Sequence, residues 1–446
     1  MSSALRLWWL LRGRGSDDNS RLPGVLAVIA FAVATGSLLV VLGGLQAFEL
    51  RSHQPGDETA QLYLVLAIVA AGLMVIPILT LGGQAARLTL TRRNARLATL
   101  RLAGATTGQS VAITLAETLS QAVLGALGGV LLYGLALPGL TMISFRGHRL
   151  ELGELWLGWW LLLALAAVIV LAVVSALVTL SGIAITPLGV ASRVSPKRLS
   201  VLRAVVAVLM LLGWPVLFPF LPMAGLIVMA LGIVAVINLI GPYVVMLLGL
   251  VLTSAARRFP TLLAARRLLD DPRTAWRSCS AFALVIMVAC LSSFSAVLGS
   301  DGSDVHLGTD IATGSAITIV IVSVVAATSA GVVHACRVID QAPVYRSLAY
   351  AGTDLTVLDS SRLREVAWPL AVTALTAGGF AALLLLPLGT DAPGALLRFA
   401  IALAGSAALT LAALAASRPL LARAVRLDLG ADHGTEQTAA GVLTAG

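Results

Sequence analysis

Apolar stretches of 18 or more residues recur from one end of the 446-residue chain to the other, and they restrict its fold more than any other feature. A helix of that length crosses a hydrocarbon layer about 30 Å thick. Charged residues make up only 11% of the chain, against about a quarter in soluble proteins. The sequence therefore predicts an all-α polytopic membrane protein. We predict ten spans, near residues 22–48, 60–86, 109–137, 156–180, 201–219, 224–254, 276–299, 311–335, 363–389 and 395–417.

The basic residues indicate the orientation of these spans. If ten spans alternate across the membrane, 26 of the 30 Lys and Arg residues lie in segments on one side and 4 on the other. Positively charged loops stay in the cytoplasm, so both termini are predicted to be cytoplasmic. The net charge of +9 then reflects topology, and no nucleic-acid motif accompanies it. Lys197 is the single lysine beside 29 arginines, a bias typical of GC-rich genomes, so we expect a bacterial plasma membrane.

Two parts of the chain repeat each other. A shift of 248 positions places Leu100 on Leu348 and Gly104 on Gly352, and it also places Glu117 on Glu365 without a gap. The repeat predicts a first four-span half (1–200), a two-span connector (201–255) and a second four-span half (256–446). Because the connector has an even number of spans, the two halves share one orientation. This parallel repeat differs from the inverted repeats common in secondary transporters, whose two halves have opposite orientations.

Each half contains an elbow between its second and third spans. In the first elbow, Arg93 and Arg96 alternate at helical spacing with Leu97 and Leu100, which predicts a short amphipathic helix at the membrane surface. Gly104 suits the C-terminus of that helix, where a left-handed residue is favoured.

The caps of the following spans are predicted by the same stretches. Thr106 and Gln109 fit a capping box that begins the third span. In the second copy Gly352 ends a helix and Asp354 caps the next one. A turn that only keeps the loop soluble would explain one copy, whereas two copies at matched spacing favour a shared docking role.

The elbows resemble a signature of FtsX-like permeases, the membrane subunits of MacB-type (type VII) ABC transporters. That signature is a Leu-rich stretch ending in a small residue and Gly, followed by a span with an early Glu. It is found here as RLATLRLAGATTGQSVAITLAETL and, less closely, as VYRSLAYAGTDLTVLDSSRLREVA. The 4+2+4 order of spans is similar to that of BceB-type permeases.

The resemblance implies that the elbows at 92–106 and 340–354 are coupling helices that seat two copies of a cytoplasmic ABC ATPase. The residues it marks for docking are Arg93, Arg96, Leu97, Leu100, Gly104, Tyr345, Arg346, Leu348 and Gly352. The chain departs from the family in two ways. In place of the acidic residue usual early in the elbow, the first copy has Arg96 and the second has Val344. Where BceB-type members have a large extracellular domain, residues 300–310 leave room only for a turn.

The chain lacks the motifs of an enzyme. A phosphate-binding P-loop needs a glycine-rich stretch before a lysine, and no such glycines precede Lys197. No Cys/His spacing indicates a metal site, and no nucleophile motif is present. We therefore expect no cofactor on this chain, with ATP and Mg²⁺ bound by the partner ATPases.

Glu117 and Glu365 lie in predicted spans, where a charge costs at least a few kcal/mol. They either pair with Arg101 and Arg364 to fix helix orientation or transmit elbow movement into the span. The sequence leaves both interpretations open. Gly241-Pro242, in the sixth span, similarly marks either a packed kink or a substrate path.

The function expected from these features is a permease that exports or extracts an amphipathic substrate such as a peptide antibiotic, lipid or lipopeptide. The alternative is a signalling module that passes ATPase movement to a sensor kinase or a cell-wall hydrolase. An ion-driven transporter is disfavoured by the parallel repeat, and a membrane enzyme by the missing catalytic motifs.

Overall fold

The computed structural model describes residues 18–53, 60–91, 106–184, 223–293, 306–385 and 393–419. These residues form a helical bundle with one small β-hairpin. In chain order the elements are α1 (Asp18–Ser52), α2 (Ala60–Thr91), α3 (Thr107–Thr141), β1 (Ser144–Phe145), β2 (His148–Arg149), α4 (Leu152–Leu155), α5 (Trp160–Ala184), α6 (Met223–Ala255), α7 (Phe259–Asp270), α8 (Pro272–Ser293), α9 (Leu307–Asp340), α10 (Ala342–Tyr350), α11 (Leu355–Leu385) and α12 (Pro393–Ala415).

The multi-pass character predicted from the sequence is confirmed. Within the described part of the chain, seven helical segments are long and apolar enough to cross a membrane. They lie in α1, α2, α3, α4–α5, α6, α9 and α12. Among the described residues, α8 and α11 are not in this set of seven, and the ends of the spans predicted over them, like the whole of 201–219, lie outside the described residues. The count of ten therefore stays a prediction.

The helices of the two predicted halves have similar neighbours. In the first, α1 packs against α2 and α3, and α5 packs against the same two helices. In the second, α8 packs against α9 and α11, and α12 packs against both of these as well. The connector helix α6 lies against α7 and α8.

A shared core joins the halves. Phe31 of α1 and Leu73 of α2 belong to the same buried cluster as Leu284 of α8 and Val325 of α9. A hydrogen bond from the Ser329 hydroxyl to Gln84 Oε1 (2.8 Å) links α9 to α2 within the bundle. Helix α9 thus packs against both α1 and α2 between the halves, and we call this contact the α2–α9 seam after its hydrogen bond.

Two glycines allow α3 to approach α1 closely. A Cβ added at Gly125 would lie 2.3 Å from Phe31 Cβ, and one added at Gly129 would lie 2.5 Å from Thr35 Cβ. Their four-residue spacing is that of a GxxxG motif, in which small residues let two membrane helices pack backbone to backbone. The α1–α3 contact therefore depends on the absence of side chains at these positions.

We expect Gly125→Val to destabilise the protein by about 1–3 kcal/mol, because the added side chain forces α1 and α3 apart. Thermal unfolding of the purified chain in detergent measures the effect. Gly134→Val is the matched control on the same helix, since a Cβ at Gly134 meets no atom within 4 Å. Equal loss of stability in both variants would show that helix propensity, and not the close contact, explains the effect.

The segment between α3 and α5 contains the one departure from an all-α fold among the described residues. Strands β1 and β2 pair antiparallel around Arg146 and Gly147. Both of these residues have positive φ, 56° and 79°, as a two-residue type I′ hairpin requires. The predicted spans 109–137 and 156–180 leave this hairpin in the segment between them.

Gly241 is a packing position. A Cβ there would lie 1.9 Å from the Trp276 indole ring, so α8 fills this face of α6. Trp276 itself follows Asp271-Pro272, a pair that predicts an N-cap followed by Pro in the first turn of a helix. That prediction is confirmed: Asp271 Oδ1 accepts a hydrogen bond from the Thr274 N–H (3.1 Å) at the start of α8. The sequence alternative of a substrate path at Gly241 gains no support from this contact.

Candidate functional site

The second elbow forms the short helix that the sequence predicts. Helix α10 ends in a Schellman motif, where the Thr353 N–H donates to Leu348 O (3.0 Å) and the Gly352 N–H donates to Ala349 O (2.9 Å). Gly352 has φ +84°, the left-handed conformation that glycine adopts without strain. The predicted helix stop at Gly352 is confirmed.

Asp354 begins the next helix, as predicted. Its carboxylate accepts hydrogen bonds from the Thr356 hydroxyl (2.8 Å) and the Thr356 N–H (3.4 Å). These bonds hold the pKa of Asp354 below its usual range. The charged cap therefore supports α11 at neutral pH, and the support is lost only as pH falls through that lowered pKa.

The two faces of α10 differ in burial. Ala342 and Tyr345 are buried in a cluster with Val338 and Leu358, and Leu348 packs partly against it. On the outer face Val344 is 51% exposed and Tyr350 is 63% exposed. The helix therefore has one buried face and one exposed face, and apolar residues lie on both.

The docking residues that the resemblance implied differ in exposure. Tyr345 is only 1% exposed, and it fastens α10 to the bundle. Arg346 and Leu348 are half-buried, and Gly352 is exposed. The exposed Tyr350 was not singled out from the sequence, although its helical spacing from Val344 and Ser347 could have indicated it.

Four side chains, which we call the elbow cluster, lie behind α10: Arg267 of α7, Arg337 of α9, Tyr345 of α10 and Glu365 of α11. Glu365 is 5% exposed and forms ion pairs with Arg337 and, at 3.7 Å, with Arg267. Arg267 Nη1 donates to the Tyr345 hydroxyl (2.8 Å), and its guanidinium lies 5.0 Å from the centre of the Tyr345 ring. One carboxylate thus ties together three helices and the elbow.

The arginine that the sequence analysis paired with Glu365 was the wrong one. Arg364 Nη1 instead donates to the Thr261 hydroxyl of α7 (2.8 Å). The correct partners come from α7 and α9 because Glu365 points into the bundle, one residue further round α11 than Arg364. The prediction that Glu365 pairs with an arginine is confirmed, although the arginines are Arg267 and Arg337.

A second set of contacts fastens the start of α11 to the end of α12. Buried Arg362 donates to the Ser417 hydroxyl (2.6 Å) and lies 3.8 Å from Asp359. Arg418 pairs with Asp359 at 2.7 Å. Helix α11 is consequently held on two sides within one turn of Glu365.

The first elbow is described only at its end. Arg93, Arg96, Leu97, Leu100 and Gly104 lie outside the described residues, as does Arg101. The predicted capping box is confirmed: the Gln109 N–H donates to the Thr106 hydroxyl oxygen (3.3 Å), and Gln109 Oε1 accepts from the Thr106 N–H (3.0 Å).

Glu117 differs from Glu365 in burial. It is half-buried in α3, and its backbone carbonyl accepts a hydrogen bond from the Ser120 hydroxyl (2.8 Å). The two glutamates that the repeat superposes therefore have different surroundings.

A buried carboxylate also joins the halves at the opposite end of the bundle, which we call the hairpin end. Asp310 of α9 is 6% exposed. It accepts hydrogen bonds from the Tyr63 hydroxyl of α2 (2.9 Å) and the Arg146 N–H of the hairpin (2.8 Å). The Arg146 guanidinium lies 5.6 Å from the centre of the Tyr63 ring. The sequence analysis did not identify this contact, and no local pattern marks it.

The described residues contain no group of three or more His, Cys, Asp or Glu side chains that could hold a metal ion. The elbow cluster instead links α10 to α7, α9 and α11 through charged contacts. No protein-family model, curated protein or solved structure matches this chain.

Proposed function

We propose that this chain is the membrane permease subunit of an ABC transporter of the FtsX-like kind. It has ten spans, both termini in the cytoplasm and two four-span halves, in a bacterial plasma membrane. Two copies of a separate ATPase hydrolyse ATP and dock on the elbows at 92–106 and 340–354. The substrate is amphipathic: a peptide antibiotic, lipid or lipopeptide that is exported or extracted.

The observation that carries this proposal is the construction of α10. Its inner side is fastened through Tyr345 to the elbow cluster, while Val344 and Tyr350 are exposed on the other side. Exposed apolar residues outside the membrane favour contact with another protein. The opposite face of α10 contacts the elbow cluster, at the end of the bundle that the positive-inside rule assigns to the cytoplasm.

The elbow cluster supplies the route for coupling. When the ATPases close, they displace α10, and Tyr345 carries that displacement to Arg267. From Arg267 it passes to Glu365 on α11 and then to Arg337 on α9. These contacts move α7, α9 and α11 together, so that one half shifts against the other across the α2–α9 seam.

Native mass spectrometry of the chain co-expressed with the ATPase of the neighbouring gene tests the proposal. We expect one permease with two ATPases in the wild type. Val344→Glu with Tyr350→Glu should lose one ATPase, because both side chains are exposed and their replacement disturbs only the docking face. Adding Leu100→Glu in the first elbow should lose the second.

Met142→Glu with Leu152→Glu is the matched control. Both residues are exposed apolar residues, 79% and 59%, at the hairpin end, and their replacement should leave two ATPases bound. A wild-type permease that purifies alone would contradict the proposal. So would a Val344→Glu, Tyr350→Glu variant that keeps both ATPases.

A further inference from the structure

An apolar cavity of about 240 Å³ lies between α1, α2 and α5. Small residues on all three helices create it: Ala34 of α1, Gly82 of α2 and Ala172 of α5 face one another across the space. Phe31 and Ile78 are among the larger residues that bound it. The cavity belongs to the first half and is separate from the elbow cluster.

Every side chain that lines the cavity is hydrocarbon, apart from Gly82, which has none. A buried water needs two to four polar partners, so water cannot occupy this space stably. Dry apolar cavities of about 150 Å³ in other proteins bind molecules such as benzene, and this one is larger. Its occupant must therefore be an apolar group.

The surroundings of the cavity identify that group. Helices α1, α2 and α5 all contribute to the seven candidate membrane spans. Val75 and Leu79 of α2 and Leu171 of α5 line the cavity and are also exposed, so its opening faces away from the described part of the bundle. In a membrane the material at that opening is lipid acyl chain. We propose that the cavity holds one acyl chain of a membrane phospholipid.

The attraction between the acyl chain and the cavity comes from the enclosing shape of the cavity. A lipid tail is as apolar as the side chains around it, so transfer from bilayer to cavity gains no hydrophobic free energy. A chain in the cavity contacts three helices, whereas a chain on a flat helix face contacts one. Dispersion contacts are individually small and add up over such an enclosed surface. The bound chain also completes the packing of α5 against α1 and α2.

Photolabelling with a phospholipid that carries a diazirine in its acyl chain tests this inference. The full-length chain alone is reconstituted in vesicles of that lipid and phosphatidylethanolamine, illuminated and digested, and labelled residues are located by mass spectrometry. We expect stronger labelling at the cavity residues of α2 and α5 than at Leu131 and Leu135. Those two residues of α3 are 70% and 78% exposed and report ordinary surrounding lipid.

Two neighbouring glycines give a matched pair of variants. A Cβ at Gly82 or at Gly83 meets no atom within 4 Å, but only Gly82 lines the cavity. Gly82→Leu should abolish the excess labelling by filling the space, while Gly83→Leu should leave it unchanged. Ala167→Leu, on the α5 side of the cavity, provides a second filling variant should Gly82→Leu fail to fold.

Three results would overturn the inference. The cavity residues could be labelled no more than Leu131 and Leu135, which would mean that only ordinary surrounding lipid contacts them. The excess labelling could survive a folded Gly82→Leu or Ala167→Leu variant, or it could be lost equally in Gly83→Leu. Because the experiment contains no ATPase, its outcome is independent of the proposed transport function.

Discussion

Glu365→Gln is expected to destabilise the protein by about 3–5 kcal/mol, because it leaves two buried guanidinium groups without their carboxylate. Glu365 is the carboxylate that pairs with both Arg337 and Arg267, and all three side chains are largely buried. Two positive charges held close together in a region of low dielectric repel strongly. Thermal unfolding of the purified chain, together with its yield from membranes, measures the loss.

A charge-restoring variant separates electrostatics from packing. Glu365→Gln combined with Arg337→Gln returns the cluster to its original net charge and leaves Arg267 bonded to Tyr345. We expect the double variant to recover a large part of the lost stability. Glu117→Gln, on the half-buried glutamate of α3, should have a smaller effect than Glu365→Gln. A double variant less stable than Glu365→Gln alone would contradict the charge argument.

The second large effect is expected at the hairpin end. Asp310→Ala removes the acceptor of two hydrogen bonds, from the Tyr63 hydroxyl and from the Arg146 N–H. A hydrogen bond to a charged group contributes about 1.5–3 kcal/mol. The loss should loosen the contact between the hairpin of the first half and α9 of the second. Spin labels on His148→Cys and Thr309→Cys, in a cysteine-free background, report the distance between them.

We expect a narrow distance distribution in the parent protein and a broader, longer one in Asp310→Ala. Tyr63→Phe removes one of the two hydrogen bonds, so its distance distribution should lie between those of the parent protein and Asp310→Ala. Asp310→Asn keeps the size of the side chain and an oxygen acceptor, so it should remain near the parent. An unchanged distribution in Asp310→Ala would show that the α2–α9 packing alone holds the halves together at this end.

These two carboxylates act at opposite ends of the same helix. Asp310 lies in the first turn of α9, and the Glu365 contact is made by Arg337 in its last turn. Helix α9 is also the main contact of the second half with the first. In the proposed transporter, movement that reaches Arg337 from the elbow would therefore also act on the Asp310 contact.

Local features were predictable from the sequence because they depend on atoms a few residues apart. The stop at Gly352 needs only a residue that tolerates positive φ, and the caps at Thr106, Asp271 and Asp354 need only a side-chain oxygen near the next N–H groups. Length and hydropathy likewise determined the membrane helices. The second elbow was found as a repeat of the first, with Leu348 and Gly352 in the positions of Leu100 and Gly104.

The partners of the buried charges were not predictable. Tyr63 and Asp310 are 247 residues apart in the chain, and Arg267 reaches Glu365 from a different helix, α7. In a soluble protein an apolar stripe shows which face of a helix points inward. A membrane helix is apolar on all sides, so the sequence does not show which residues meet across the bundle.

The sequence by itself therefore determined the class of protein, the positions of most spans, the caps and the second elbow. Only the tertiary structure decided that Glu365 joins α7, α9 and α11, that Tyr345 faces inward while Tyr350 faces outward, and that small residues of three helices leave a cavity. The physical reason is that helix rotation in lipid is set by side-chain packing and a few buried polar contacts. Those contacts are made between distant parts of the chain.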